Sequence, residues 1–285
     1  MKDKEIADAW LKFLADRFRS KIDPKDYILC YSGGKDSHFL YWFIKEWLKW
    51  DEIEIVGVNT SFELPEIRDR IVKYSDVVLF PEKSRKELKE TYGIPCYNKQ
   101  TDEYIYRYQN GSRSENTMKA IMGYGNTLFV IKKQARELLL SNKLHKVSNK
   151  CCLYNKEYPL KHYCKKHNKK SIIGVRGGES KTRKAKYTTC LQKSGNFTPL
   201  YDFSDDLMDL IYDVYGLEVP KCYNYLERTG CAGCPYGYHC EDELSLLTDA
   251  QRKHTIEFFK ESYDVKGINY NDIQLTLDLR KGENQ

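Results

Sequence analysis

The hexapeptide Ser-Gly-Gly-Lys-Asp-Ser has residue types and a spacing that could form a binding or catalytic site. It follows an apolar run at 27–31 and precedes a helical pattern. Its glycines let successive backbone N–H groups turn toward one point, where the positive end of the following helix dipole also points. The serines can donate hydrogen bonds, the lysine can supply a charge, and the aspartate can hold a hydrated Mg²⁺ or orient the loop. We therefore expect a phosphate-binding loop made of Ser32, Gly33, Gly34, Lys35, Asp36 and Ser37.

Asn59 and Thr60 stand at the end of the second predicted strand, which covers 53–59. In an open α/β sheet the carboxyl ends of neighbouring strands line the ligand crevice, so these two residues would lie beside the phosphate loop. This position suits contacts with the adenine and ribose of a nucleotide.

Ten cysteines include two pairs, Cys151-Cys152 and Cys231-Ala-Gly-Cys234. Four thiolates that meet in space can hold a [4Fe–4S] cluster or a tetrahedral zinc ion. Because neighbouring side chains diverge, adjacent cysteines reach two corners of an iron–sulfur cube more easily than one small ion. The pairs therefore predict a cluster on Cys151, Cys152, Cys231 and Cys234. A local set remains as the alternative: Cys222, Cys231, Cys234 and Cys240.

The length of 285 residues suits one large or two modest domains. The charged N-terminus fits an amphipathic helix rather than a secretory signal, and no apolar run reaches membrane-spanning length. We expect a cytoplasmic protein without membrane contact, in which ten cysteines indicate metal binding or redox chemistry rather than disulfides. The apolar face predicted for the first helix consists of Ile6, Trp10, Phe13 and Leu14.

The charge of the chain is unevenly distributed. Residues 142–187 contain fourteen Lys and Arg but only two Glu, so this stretch carries a net charge of +12. Because the whole chain carries +6, the remainder carries −6. A solvated lysine-rich surface is the plain interpretation. The functional interpretation is a channel for an anionic substrate, either a second nucleotide or a nucleic-acid backbone.

Strand-like and helical patterns alternate along the chain. Strands are predicted at 27–31, 53–59, 76–80 and 171–175, and helices at 37–50, 64–74, 128–141, 205–215 and 248–263, with an irregular region at 96–125. This order predicts an α/β fold with a doubly wound, mostly parallel sheet covered by helices on both faces.

The loop at 32–37 resembles the pyrophosphate loop of the PP-loop ATP pyrophosphatases, Ser-Gly-Gly-x-Asp-Ser, and lacks the Walker pattern. Residues 59–66 resemble the Asp-Thr-Gly-x-x-x-Pro-Glu segment of that family, with Asn59 in place of the Asp and Ser61 in place of the Gly. The resemblance implies an adenine nucleotide alpha-hydrolase-like fold that binds ATP with Mg²⁺.

Three later segments resemble the phosphoadenosine phosphosulfate reductase family: Cys-Cys-x-x-x-Lys-x-x-Pro-Leu at 151–160, Gly-x-Arg-x-x-Glu-Ser-x-x-Arg at 174–183, and the C-x-x-C at 231–234. The resemblance implies that Lys156 lies between a cluster and a substrate anion. It also implies that Arg176 and Arg183 clamp that anion and that Glu179 anchors Arg176 or the loop. Residues 1–215 would form the nucleotide-binding domain, and 216–285 a small iron–sulfur-associated C-terminal segment.

The expected reaction is cleavage of ATP to AMP and pyrophosphate, which adenylylates an acceptor for sulfur transfer. Nucleic acid is the candidate acceptor, as in DNA phosphorothioation and tRNA thiolation, and a sulfur-donor protein is a candidate partner. The sequence does not indicate an oligomeric state.

Two departures from the reductases favour ATP. Those enzymes act through a cysteine near the C-terminus in a Glu-Cys-Gly-x-His setting, whereas the last cysteine here is Cys240, and the intact loop suits a pyrophosphate group. One alternative is an adenylylsulfate or phosphoadenylylsulfate reductase that releases sulfite by means of Cys240 or Cys222. The others are a protein like the small subunit of ATP sulfurylase, which needs no cluster, and a nucleic-acid-binding module with a structural cluster.

Overall fold

The computed structural model describes residues 2–179, 184–185, 187–271 and 273. The chain forms two compact units, each assembled from separate stretches. The first unit contains 1–61, 66–80 and 158–228, and the second contains 62–65, 81–157 and 229–285. The domains predicted from the sequence, 1–215 and 216–285, are continuous stretches of the chain, whereas the compact units are not. The predicted boundary stays a prediction.

The first unit is built on four parallel strands in the order β3-β2-β1-β4. They are β1 (Tyr27–Tyr31), β2 (Glu54–Val58), β3 (Val77–Leu79) and β4 (Lys170–Ile173). In the central strand Leu29 lies opposite Ile55 on one side and Ile172 on the other. The strand order reverses direction at β1, because β2 and β3 follow on one side and β4 on the other. The predicted α/β fold with a parallel, doubly wound sheet is therefore confirmed.

Twelve helices are present in the described residues. In chain order they are α1 (Lys2–Lys21), α2 (Lys35–Trp42), α3 (Pro65–Tyr74), α4 (Arg85–Tyr92), α5 (Lys99–Gln109), α6 (Glu115–Met122), α7 (Lys133–Leu140), α8 (Lys150–Cys152), α9 (Tyr158–Lys166), α10 (Asp205–Tyr215), α11 (Cys240–Ser245) and α12 (Asp249–Lys266). Wider π turns extend α2 over Phe43–Trp47 and join α8 to α9 over Leu153–Glu157. None of these described helices has both the length and the apolar composition needed to cross a bilayer.

The predicted elements match the structure best where burial is continuous. Every strand lies within two residues of its predicted ends, and α10 has its predicted bounds. The irregular region predicted at 96–125 is wrong, because α5 and α6 occupy it, and each begins at a side-chain cap, Asn98 and Ser114. The predicted helix at 128–141 begins only at Lys133, and Leu128 is fully exposed.

The apolar face predicted for α1 is also wrong in part. Leu14 is buried, but Ile6 and Phe13 are 39% and 48% exposed. The buried stripe contains Leu11, Leu14, Ala15 and Phe18 instead. Small alanines belong to this stripe, and a count of large apolar residues alone overlooks them.

The second unit has a core of its own between α5, α6, α7 and the segment that follows α7. Its buried members are Cys96, Ile105, Ile121, Ile131, Ala135, Leu139, Leu144 and Val147. The long helix α12 begins with a reciprocal capping box between Thr248 and Gln251.

The α1 face can be tested with two phenylalanines of the same helix. Phe18 is fully buried, with its ring centroid 5.0 Å from that of Phe197 and 5.4 Å from that of Phe43. Phe18→Ala should therefore lower the free energy of unfolding by about 3–5 kcal/mol. Phe13→Ala should cost less than about 1 kcal/mol, because that ring already meets solvent. Denaturant unfolding followed by circular dichroism measures both, and equal losses would contradict the assigned face.

Candidate nucleotide and cysteine sites

The phosphate-loop candidate lies at the carboxyl end of β1, at the point where the strand order reverses. Gly33 has φ +77°, and a Cβ atom there would stand 2.7 Å from the carbonyl oxygen of Ile67 in α3. Both the left-handed backbone and the close approach therefore require glycine. Ligands of open α/β sheets bind at this reversal point, so the fold places the loop where a nucleotide is expected.

The two serines of the loop bind each other. Ser37 is 4% exposed, and its Oγ accepts a hydrogen bond from the Ser32 backbone N–H at 3.2 Å. The two hydroxyl oxygens are 3.1 Å apart, and Ser37 Oγ also donates to the Gly34 carbonyl at 3.0 Å. Ser37 therefore closes the loop internally.

Lys35 anchors the first turn of α2 within the first unit. Its backbone N–H donates to the Tyr223 hydroxyl at 3.1 Å, and its carbonyl accepts from the Tyr212 hydroxyl at 2.7 Å. Its ammonium lies 2.8 Å from Asp209 Oδ1. The sequence interpretation missed Tyr212 and Tyr223, because no local pattern links them to a residue 177 and 188 positions earlier.

Asp36 is held by Arg176. The Arg176 Nε lies 2.9 Å from Asp36 Oδ1, and a second nitrogen of the guanidinium bonds Asp205. Burial alone lowers the pKa of Arg176, but the two carboxylates raise it above its ordinary value. Gly174, just after β4, lets the chain before Arg176 pass close to the backbone of Asp36, since a Cβ at residue 174 would stand 3.1 Å from the Asp36 carbonyl carbon. Arg176 therefore contacts the phosphate loop through the carboxylate of Asp36, and its predicted role as a clamp for a substrate anion stays a prediction.

The end of β2 forms a tight turn. The Asn59 side chain accepts a hydrogen bond from the Ser61 backbone N–H at 2.9 Å, and Thr60 is 3% exposed. Ser61 has φ +62°, a left-handed conformation. The hydrogen bond to the Asn59 side chain supports this conformation at a residue other than glycine.

Two predicted site residues fall at the edge of the described structure. Glu179 ends a short 3₁₀ turn at Gly177–Glu179. Arg183 lies outside the described residues. Their assigned roles stay predictions.

The four predicted cluster cysteines all belong to the second unit and influence one another electrostatically. Burial raises the pKa of the Cys151 thiol, and negative charge on Cys231 and Cys152 raises it further. Burial likewise raises the pKa of Cys234, with added contributions from Cys231, Cys152 and Cys151. Asn155 donates to Cys151 Sγ at 3.1 Å. Across the described residues, no group of three or more His, Cys, Asp or Glu is arranged to hold a metal ion.

Two cations, Lys156 and Arg85, interact electrostatically with the cysteines of the second unit. The Lys156 ammonium is 3.9 Å from Oε1 of the buried Glu63. Burial alone lowers the pKa of Lys156, but Cys231 and Glu63 raise it above its ordinary value. Arg85, at the start of α4, stacks 3.8 Å from the Phe62 ring centroid and interacts electrostatically with Cys151. The sequence interpretation missed Arg85 and Glu63, which carry no motif.

The C-x-x-C loop turns at Gly233, which has φ +69°. A Cβ there would overlap the Leu244 Cδ2 at 2.6 Å, so glycine is required. The Gly233 N–H donates to Glu243 at 2.9 Å, and its carbonyl accepts from Cys240 Sγ at 3.2 Å and from the Tyr263 hydroxyl. Burial raises the pKa of Glu243 to about 7. Side chains of α11 and α12 therefore fix the loop.

Tyr236 fixes the same loop from the other side. Its hydroxyl donates to Asp102 at 2.7 Å, and Asp102 is fully buried. That carboxylate also accepts from the backbone N–H groups of Cys96 and Tyr97, at 2.6 and 3.0 Å. Burial raises the pKa of Asp102 to about 6.

The two cysteines named as alternative ligands or nucleophiles are protected thiols. Cys240 is 5% exposed and donates to the Gly233 carbonyl, and burial raises its pKa to about 12. Cys222 is 6% exposed in the first unit, where burial and the neighbouring Glu66 raise its pKa to about 12. Neither environment favours the thiolate that a nucleophile requires.

No family model matches this sequence, and neither does any curated protein. Among solved structures, a phosphoadenylyl-sulfate reductase from Candida auris in a phosphate complex aligns at 12% identity with TM-score 0.41, over 78% of this chain and 93% of that one. An NAD⁺ synthetase from Burkholderia pseudomallei aligns at 13% with TM-score 0.38, over 94% and 91%. The U34-tRNA thiolase NcsA from Methanococcus maripaludis with its [4Fe-4S] cluster aligns at 12% with TM-score 0.37, over 96% and 81%. Similarities at this level carry neither a fold nor a function from those proteins to this chain.

Proposed function

We propose that this chain is an ATP-dependent enzyme that activates an acceptor by adenylylation and then replaces the activated oxygen with sulfur. The observation that carries this proposal is the glycine-dependent loop at 32–37, which lies at the carboxyl end of the central strand, where the sheet order reverses. Such a loop suits a pyrophosphate group because backbone N–H groups and a helix N-terminus converge there.

In this proposal the loop binds the β and γ phosphates of ATP. Lys35 supplies positive charge, and Asp209, at 2.8 Å, holds its ammonium beside the loop. Asp36, oriented by Arg176, would bind the Mg²⁺ that accompanies the phosphates. Asn59 and Thr60, at the end of the neighbouring strand β2, are the candidates for adenine and ribose contacts.

The chemistry requires no external oxidant or reductant when sulfur enters as sulfide. An acceptor oxygen attacks the α phosphorus of ATP, the bond to the β-phosphate oxygen breaks, and pyrophosphate leaves. Hydrosulfide then attacks the atom that carries the activated oxygen, and AMP leaves with that oxygen. A sulfur-donor protein would supply the sulfide. Loop contacts stabilise the pyrophosphate leaving group as its charge develops.

Four cysteines of the second unit would hold a [4Fe–4S] cluster: Cys151, Cys152, Cys231 and Cys234. Thiolates are the usual ligands of such clusters, and the four thiols interact electrostatically. Burial raises the pKa of Cys231, and the positive charge of Lys156 opposes that rise. Arg85 adds a second cation near Cys151. A bound cluster would supply iron that can bind sulfide before its transfer.

The basic stretch at 142–187 supports an anionic acceptor, for which nucleic acid is the proposed class. Residues 142–157 of this stretch belong to the second unit, and 158–187 to the first. A sulfite-releasing reductase is less favoured, because Cys240 and Cys222 are protected thiols with raised pKa values.

The loop can be tested at Ser37. Ser37→Ala removes the hydroxyl that closes the loop, so ATP affinity should fall about tenfold with a loss of about 1–3 kcal/mol in unfolding free energy. Ser75→Ala is the matched control, because its hydroxyl is buried without a hydrogen-bond partner among the described residues. Isothermal titration with Mg·ATP measures the affinity. Equal affinities for both variants would place the nucleotide elsewhere.

The reaction can be tested by its products. With α-labelled ATP, a nucleic-acid acceptor and sulfide, the enzyme should release AMP and pyrophosphate in equal amounts, and sulfur should appear in the acceptor. Asp36→Asn should reduce the rate by at least about a hundredfold, because it weakens both Mg²⁺ binding and the contact with Arg176. Release of ADP and phosphate would refute the proposed cleavage.

The cluster can be tested by substitution under anaerobic conditions. Serine at any of the four cysteine positions should lower the iron and sulfide content and the visible absorption, and should destabilise the second unit. Cys96→Ser and Cys164→Ser are controls, since Cys96 lies in the hydrophobic core of that unit and the Cys164 thiol contacts Ser171 in the first. Stoichiometric zinc instead of iron would refute the cluster while leaving its ligands in place.

A further inference from the structure

The second unit contains a cavity of about 260 Å³ between α5 and the segment that follows α7. Its chemically distinctive lining residues are Tyr92, Tyr108, Asn110, Arg113, Asn142 and Lys146. The volume is below the range of about 300–1,000 Å³ typical of sites for drug-sized ligands. The cavity therefore suits a single base or phosphate group rather than a complete nucleotide cofactor.

The charge of this cavity is positive. Among the described residues that line it there is no carboxylate, and neither Arg113 nor Lys146 forms an ion pair with a described acidic residue. A larger cavity of about 500 Å³ in the first unit differs, because it mixes three acidic with three basic side chains. The Lys146 ammonium donates a hydrogen bond to the Glu90 backbone carbonyl at 2.9 Å. Two cations in a lining that holds no carboxylate attract anions such as phosphate.

Several of the cavity's side chains are held in place. The Arg113 guanidinium lies 3.9 Å from the Tyr108 ring centroid and donates to the Tyr108 carbonyl at 2.8 Å. Gln109 bonds the His145 carbonyl and the Val147 N–H at 2.8 and 3.0 Å, which fixes the backbone beside Lys146. Because these side chains are already fixed, a ligand would lose little affinity to the ordering of the cavity walls.

The cavity residue Tyr92 contacts the chain segment that follows Cys152. The Tyr92 ring stacks on Tyr154, with centroids 4.7 Å apart and planes 21° from parallel. Tyr154 follows Cys152 by two residues in the turn that joins α8 to α9. A group bound against Tyr92 is therefore separated by one aromatic pair from the segment that carries Cys151 and Cys152.

We infer that this cavity binds one base of a single-stranded nucleic acid against its tyrosines, with the flanking phosphates outside it on the exposed Arg113 and Lys146. Aromatic rings accept any base by stacking, while arginine and lysine bind the backbone, and this combination is typical of single-strand recognition. The amides of Asn110 and Asn142 can contact base edges. The inference rests on the proposed function, because it assigns the acceptor class and its place in the second unit.

Binding is tested with fluorescently labelled single-stranded RNA and DNA oligonucleotides at two salt concentrations, using anisotropy and the full chain. Combining Arg113→Gln and Lys146→Gln should weaken binding at least about fivefold. It should also reduce the slope of log affinity against log salt by about 0.7 for each lost phosphate contact. Arg107→Gln and Lys132→Gln together are the matched control, because both are exposed cations of the second unit that lie outside 142–187 and do not line the cavity.

Tyr92→Leu separates stacking from charge. It should weaken oligonucleotide binding without changing the salt slope, whereas Tyr106→Leu on α5, outside the cavity lining, should have no effect. ATP affinity should be unchanged in every variant. Wild-type affinity in the cavity variants, or equally tight binding of duplex, would overturn the inference while leaving ATP cleavage intact. Failure of ATP cleavage with normal oligonucleotide binding would overturn the proposed function and not the cavity.

Discussion

The passage from β1 to α2 depends on one steric constraint, the absence of a side chain at residue 33. The Ile67 carbonyl oxygen occupies the space that a Cβ would need, and the backbone at Gly33 is left-handed. Only glycine lets the chain leave the central strand in this direction while α3 packs across the turn. The position of the phosphate loop, the start of α2 and the approach of Gly174 all follow from this turn.

A similar device organises the C-x-x-C loop in the second unit. Gly233 is again left-handed and tightly enclosed, and its carbonyl and N–H are bound by side chains of α11 and α12. Asp102 of α5 also fixes the loop, because it accepts a hydrogen bond from the Tyr236 hydroxyl. Each candidate site thus consists of a short glycine turn whose polar backbone atoms are held by distant side chains, and such preorganisation keeps reactive groups in place.

The sequence was sufficient for the elements whose patterns are local and continuous. Buried strands such as Tyr27–Tyr31 appear as unbroken apolar runs because both faces of a parallel sheet are covered. It failed at α5, where three tyrosines obscure the apolar period, at the short helix α6, and at the α1 face, where alanines belong to the buried stripe. The motif residues were readable because glycines, serines and paired cysteines have fixed local spacing.

The sequence by itself determined the parallel α/β class, the position of the glycine loop at 32–37 and which cysteines occur as closely spaced pairs. Tertiary structure alone decided the partners of those residues: Tyr223 and Tyr212 on Lys35, Arg176 on Asp36, and Glu63 and Arg85 beside the cysteines. Local spacing is set by backbone geometry, which a sequence displays directly. A contact between residues more than a hundred positions apart is set by how buried surfaces pack, and no periodicity in one segment records it.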